Sequence, residues 1–427
     1  MPLPVFKWSL SANYPAGAYL WNTNPVALQP PGTWFTPDVP IDAEEINWCL
    51  GSLAADAAAL TSWAGSGPAL NWYPEFLTYS GSGGFGALQM EYGAWDQLSA
   101  KWFAVTVTPS GTPLFQMWVS HGLDQGGTTD WIQLGTNTLT STDLVYVAAC
   151  ADPTTVGQYW LTGVDNSGPP STYRTWNYNG TWTVSESLTA SGTSTYQGVA
   201  LCTHKGNVIV AVAQNGVAVS RITFWNGAVW AHYNPGLNMA VGSTWYVQSN
   251  GAVCVAVPSS TNVFTTFYST DGVTWSSSAS LAGLISLGTI VGLAWTADAV
   301  GSCWLVCVSV VGLPHPLWFR SSDGINWTAQ TGGVTSSTYK VTDMAACGSL
   351  LVCTTADQTS GGPSGQIWSP DGGVTWYPSQ ACFTSNSVGS TVGYSRPRVS
   401  SSGIGFMAYN SLYARFSTLA GVPATKL

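Results

Sequence analysis

Charge is scarce in this sequence. Of 427 residues, only 7% are Asp, Glu, Lys or Arg, against about a quarter in an ordinary globular chain. The 11 basic residues form no cluster, and the net charge is −9. Binding a phosphate backbone rests on concentrated Lys and Arg, so nucleic acid is excluded as a partner. No apolar run reaches the roughly 18–20 residues of a membrane-crossing helix, so no membrane insertion is expected. The opening residues, MPLPVFKWSLSANYPAG, lack the charged start and long apolar stretch of a secretory leader. Synthesis in a cytoplasm is the reading.

Ordered ligating and catalytic patterns are also lacking. The nine Cys are an odd number, and most lie in apolar strand-like runs such as VYVAAC (Cys150), GVALC (Cys202), AVCVAV (Cys254) and CWLVCVSV (Cys303, Cys307). Cysteine in that setting acts as a small hydrophobe and stays free. No Cys has a His partner at ligand spacing, so neither a metal nor any other cofactor is expected. The four His (121, 204, 232, 315) belong to no nucleophilic motif, and GxSxG is missing. The carboxylates Asp152, Asp165, Glu186, Asp298, Asp343 and Asp357 fall on loops or turns, and nothing in the sequence pairs any two. No catalytic residue is assigned.

What the chain has instead is 45% hydrophobic residues, 47 Gly and 23 Trp. High hydrophobicity with so little charge means an ordered chain. Residues 1–40 are rich in Pro, Trp and Asn and read as an extended anchoring arm. At 41–68 comes a helix and linker. Asp42 and Glu45 cap the helix, and Ile46, Leu50, Leu53, Ala57 and Leu60 form one apolar stripe. Gly65 and Pro68 end it.

From residue 69 to 427 short strands alternate with Gly-, Pro-, Asn- and Asp-rich turns. A Trp follows a tight turn at 131, 182, 230, 275, 327 and 376, a spacing of 45–52 residues. Each turn follows an aromatic strand and precedes an apolar strand pair, which gives four strands per period. That period marks a β-propeller. The segment 70–80 resembles the strand after each landmark, and 403–421 resembles inner strands without one. Joined, they close a seventh blade and remove the free sheet edges. The expected fold is all-β, a seven-bladed β-propeller with six or eight blades as alternatives, preceded by the arm and one α-helix.

Three of the turns are near-copies: STDGVTW (269–275), SSDGINW (321–327) and SPDGGVTW (369–376). They resemble the Asp-box, or BNR repeat, of sialidases and related propellers. The matching residues are Ser269, Asp271, Gly272 and Trp275; Ser321, Asp323, Gly324 and Trp327; and Ser369, Asp371, Gly373 and Trp376. A short acceptor before Gly bonds the N–H groups of its own turn, so the box can be purely structural. Asn179 and Asn226 stand in for Asp in two other turns. The resemblance implies that these turns lie away from any ligand. Sialidase activity is not expected, because the early Arg-Ile-Pro element is missing.

Ligands of such rings meet the opposite face, where loops join second to third strands. Asp165, Asn166, Tyr173, His315 and Asp357 are the contact candidates there, and the variable lengths of their loops suit binding. The segment TPDVPIDAEEINWCLGSLAADAAAL resembles the front end of bacteriophage tail-fibre and appendage proteins. That resemblance implies a homo-oligomeric virion component. Residues 1–68 would attach to other virion proteins, and the propeller would bind a host-surface glycan or protein. The alternative is a polysaccharide-degrading glycoside hydrolase on an Asp-box propeller, which needs two carboxylates converging on one face at roughly 5–10 Å.

Overall fold

Strand Asn207–Gln214, NVIVAVAQ, shows how this sequence builds its molecule. Its side chains alternate between two faces, yet all but the first residue are buried. Val208, Val210 and Val212 pack with Ala148, Trp160 and Val164. Ile209, Ala211 and Ala213 pack with Trp245, Cys254 and Ala256 of the next sheet. A sheet sandwiched between two others needs no polar face, which explains the continuous apolar runs.

The computed structural model describes residues 73–76, 89–99, 101–107, 114–120, 131–134, 139–140, 144–165, 170–190, 194–215, 220–298, 300–310, 313, 315–330, 339–357, 365–379, 393–394, 398–399, 404–410 and 413–418. The chain divides after Ala69, and the whole first unit lies outside these residues. The expected arm at 1–40 and helix at 41–68 therefore fall there. No helix occurs among the described residues.

Six blades are made of consecutive antiparallel strands. Blade 1 holds Gln89–Asp96, Lys101–Val107, Leu114–Ser120 and Trp131–Gln133, with Leu139–Thr140 also pairing the third strand. Blade 2 holds Leu144–Ala151, Tyr159–Asp165, Thr172–Tyr178 and Trp182–Thr189. Blade 3 holds Tyr196–His204, Asn207–Gln214, Arg221–Trp225 and Trp230–Tyr233. Blade 4 holds Thr244–Ser249, Cys254–Ser259, Thr266–Ser269 and Ser276–Ser278. Blade 5 holds Thr289–Ala297, Ser302–Ser309, Leu317–Ser321 and Thr328–Ala329. Blade 6 holds Tyr339–Cys347, Leu350–Asp357, Gly365–Ser369 and Tyr377–Ser379. The architecture is an all-β propeller.

The expectation of seven like blades is corrected to six that follow this pattern. The chain ends form a sheet of another make. Tyr73–Phe76 pairs Tyr413–Thr418, which pairs Ile404–Asn410. Two two-residue strands, Gly393–Tyr394 and Arg398–Val399, both pair Ile404–Asn410 where the blades have one long inner strand. The physical difference is sequence continuity. Each of the six is a meander folded from neighbouring residues, whereas this sheet recruits its outer strand from the other end of the chain.

Between adjacent blades lie five apolar clusters, one for each junction from blade 1 to blade 6. In blades 1, 2, 3, 5 and 6 the first strand is bulged near its start, as at Tyr196/Gly198 and Ile290/Gly292. At Gly198 a side chain would meet Ser243 O at 2.7 Å, so glycine there allows neighbouring first strands to approach closely. Antiparallel order places the first-to-second and third-to-fourth hairpin turns at one end of every blade. The second-to-third loops and the links between blades lie at the other.

Candidate functional site

The hairpin end carries Asp96, Asp152, Asp271, Asp298, Asp323 and Asp371. Asp271 Oδ1 accepts from the N–H groups of Val273 and Thr274 at 2.8 and 2.7 Å and from Ser269 Oγ at 2.9 Å. Asp323 Oδ1 accepts from Ile325, Asn326 and Ser321 in the same way, each at 2.8 Å. Asp371 does so from Val374, Thr375 and Ser369 at 3.1, 2.7 and 2.7 Å. Burial works against ionisation in all three, but these donors outweigh it and hold each carboxyl below its ordinary range. Asn226 Oδ1 accepts from Ala228 and Val229, both at 3.0 Å, so the amide makes the same backbone bonds without charge.

The glycines of these turns meet two demands. Gly324 has φ +75°, and a Cβ on it would lie 2.5 Å from Val255 Cγ2 of blade 4. Gly372 has φ +73°, and its Cβ would lie 2.4 Å from Ala297 O of blade 5. The turn therefore seats against the preceding blade, where only a residue without a side chain fits.

The first-to-second-strand turns hold further acceptors. Asp152 Oδ1 takes the N–H groups of Thr154 and Thr155, and its Oδ2 takes Trp160 Nε1 at 2.8 Å. Asp298 Oδ1 takes Val300 and Gly301, while its Oδ2 pairs Arg320 at 2.9 Å. Asp96 and Asn250 do likewise in blades 1 and 4. The signal for these was an Asp or Asn two or three residues before a turn donor.

One carboxylate stands apart. Glu186 lies on the outer strand of blade 2, where a register shift between Val184 and Glu186 marks a bulge. The bulge turns one side chain of an otherwise solvent-accessible strand into the junction with blade 3. Tyr173 Oη, on the adjacent strand, donates to Glu186 Oε2 at 3.0 Å. That hydroxyl also lies 2.7 Å from Thr175 Oγ1 and 3.3 Å from Thr223 Oγ1 of blade 3. His232 Nε2, on the outer strand of blade 3, is 3.3 Å from Glu186 Oε1.

Burial outweighs the Tyr173 hydrogen bond and the Arg221 charge and lifts the Glu186 carboxyl from 4.5 to about 7. Burial, then the Arg221 charge, lowers the His232 imidazole. The contact satisfies the distance of an ion pair, but both partners are driven toward their neutral forms. We therefore describe it as a neutral hydrogen bond, with the carboxyl O–H donating to Nε2. The Glu186 side chain is 7% exposed and that of His232 34%, so the imidazole is the end that solvent reaches. Arg221 Nε is buried and has no acceptor among the described residues.

The contact candidates do not assemble into one site. Asp165 ends the second strand of blade 2 and pairs Arg174 at 3.1 Å. Arg174 neighbours Tyr173 in one strand, so its side chain takes the opposite face and Asp165 does not join Glu186. Tyr173 is 0% exposed and meets its surroundings through its hydroxyl. His315 is half-buried before the third strand of blade 5, and Asp357 ends the second strand of blade 6 opposite Tyr339. Asn166 and His121 lie outside the described residues. Asp343 is buried in blade 6 and accepts from Met344 N at 2.8 Å. His204 bridges blades 3 and 4 through Ser249 Oγ at 2.7 Å.

No protein-family model matches the chain, and no curated protein does. Solved structures with a related chain path include an arginine-to-alanine triple mutant of AofleA from Arthrobotrys oligospora. It is 12% identical, covers 74% of this chain and 91% of its own, and has a TM-score of 0.39. The polysaccharide lyase Uly1 is 8% identical over 77% of each chain, with a TM-score of 0.37. A glycosyl hydrolase from Bacteroides ovatus is 10% identical over 70% of this chain and 88% of its own, with a TM-score of 0.32. The shared residues are too few to relate any site residue of this chain to those proteins.

Proposed function

We propose that the protein acts on a polysaccharide, with the Glu186–His232 dyad as its proton donor. The observation that carries this reading is a carboxyl raised to about 7 and hydrogen-bonded between a buried tyrosine and a partly exposed histidine. An acid poised near the working pH is suited to protonating a glycosidic oxygen. A hydrolase also needs a second carboxylate, whereas the partners of Glu186 among the described residues are Tyr173, His232 and the Arg221 charge. The test is reducing-end release from neutral glucans, mannans and uronate-containing polysaccharides. Cleavage by the intact protein that falls as pH rises through about 7, and a Glu186→Gln variant slower by about 100-fold or more, are expected. No cleavage of any polymer, or a fully active variant, would sink it.

The second reading keeps the same site as a holding site only. It rests on that single carboxyl, and on the sequence likeness of residues 36–60 to phage appendage proteins. Here the protein is an oligomeric virion component attached through residues 1–68, its propeller binding a host glycan or protein. Binding without cleavage, together with recovery of the chain from purified particles, favours it. Absence from every particle fraction counts against it.

A further inference from the structure

We propose that Cys202 and Cys254 form a disulfide between blades 3 and 4 when the protein meets a peroxide. Their sulfurs stand 3.7 Å apart. Cys202 lies on the first strand of blade 3 and Cys254 opens the second strand of blade 4, so the two belong to different sheets. Both pack in the cluster that joins these blades. A disulfide needs roughly 2.05 Å between sulfurs. From 3.7 Å the sulfurs must approach by roughly 1.6 Å for the bond to form.

Access orders the chemistry. Cys202 is partly exposed and Cys254 is buried. The peroxide O–O bond breaks as one oxygen passes to Cys202 Sγ, giving a sulfenic acid and one water. The Cys254 sulfur then attacks Cys202 Sγ. The S–S bond forms, the S–O bond breaks, and the hydroxide leaves as a second water with the Cys254 proton. Two thiols lose two electrons and two protons, and peroxide becomes two waters. Burial, then the neighbouring Cys202, holds the Cys254 thiol up, so this second step is the slow one. Cys150 of blade 2 is the rival partner, because Cys202 also weighs on its thiol.

The residues are 52 positions apart, a separation at which cross-linking removes substantial freedom from the unfolded chain. The folded full chain is treated with hydrogen peroxide, unfolded, alkylated and digested without reductant. Expected are a loss of two hydrogens, a joined peptide pair containing Cys202 and Cys254, and a Tm higher by about 4 °C that reductant reverses. Cys202→Ser should melt like the untreated protein and gain neither the cross-link nor the Tm shift. The proposal is overturned if oxidised protein leaves both thiols open to alkylation, joins Cys150 to Cys202, or stops at a sulfinic acid on Cys202.

Discussion

Half-buried Asp323 and buried Glu186 are both carboxylates at blade edges, and their environments push them in opposite directions. Asp323 sits in a turn whose backbone N–H groups converge on one oxygen, and it stays ionised to about pH 2. Glu186 sits in a junction with only one hydroxyl donor and a neutral imidazole, and it holds its proton to about 7. Burial acts on both, much more strongly on Glu186, and Asp323 has the more donors, so the two effects together decide which side wins. A carboxylate surrounded by its own turn is fixed and inert, whereas one starved of donors keeps a proton it can transfer.

The comparison can be broken in several ways. The largest effect is expected from Gly324→Ala, which combines a positive φ with a Cβ 2.5 Å from Val255. A loss of about 3 kcal/mol in urea unfolding would reflect both strain and clash, and a neutral result would mean that the turn does not seat on blade 4. Asp323→Ala removes four accepted hydrogen bonds and should cost about 1–2 kcal/mol, while Asp323→Asn should recover more than half. If the two variants are equally unstable, charge rather than hydrogen bonding holds the turn.

Glu186 gives the opposite signature. Its folded value lies above the ordinary 4.5. Its contribution to stability is full below about 4.5 and is lost as pH rises through about 7. Relative to Glu186→Gln, the wild-type protein should therefore lose about 1–2 kcal/mol across that window, after allowing for its partial contact with water. A flat difference between pH 4 and 8 in paired melts would place the carboxyl in water. Tyr173→Phe takes away the one hydroxyl that favours the charged form, so the Glu186 titration followed by carbon NMR should move further up. A downward move would reverse the assigned role. The smallest effect, within about 0.5 kcal/mol, is expected from Asn226→Asp, because that turn already has its acceptor.

The hairpin end was legible in the sequence and the junction around Glu186 was not. The Ser, Asp, Gly and Trp of each turn lie within eight residues, so a local pattern carries the bonding of the turn carboxylate. The Asn substitution at 226 could be read for the same reason. Glu186 gave no such signal. In TWTVSESLT it looks like an ordinary residue of a solvated strand, and its partners Tyr173 and His232 are 13 and 46 positions away. Tyr173 was named as a contact for its loop, but its effect runs through a hydroxyl inside the junction. His315 and Asp357 were chosen by the same loop argument and lie in other blades.

By itself the sequence determined the strand periodicity, the four-strand unit and the turn chemistry, because each depends on neighbours within one hairpin. Only the tertiary structure decided that the chain ends make a sheet unlike the six blades. It alone brought Cys202 to Cys254, and it alone left Glu186 short of donors beside His232. Those outcomes depend on which faces two blades bring together, and no local pattern encodes the packing of one blade against the next.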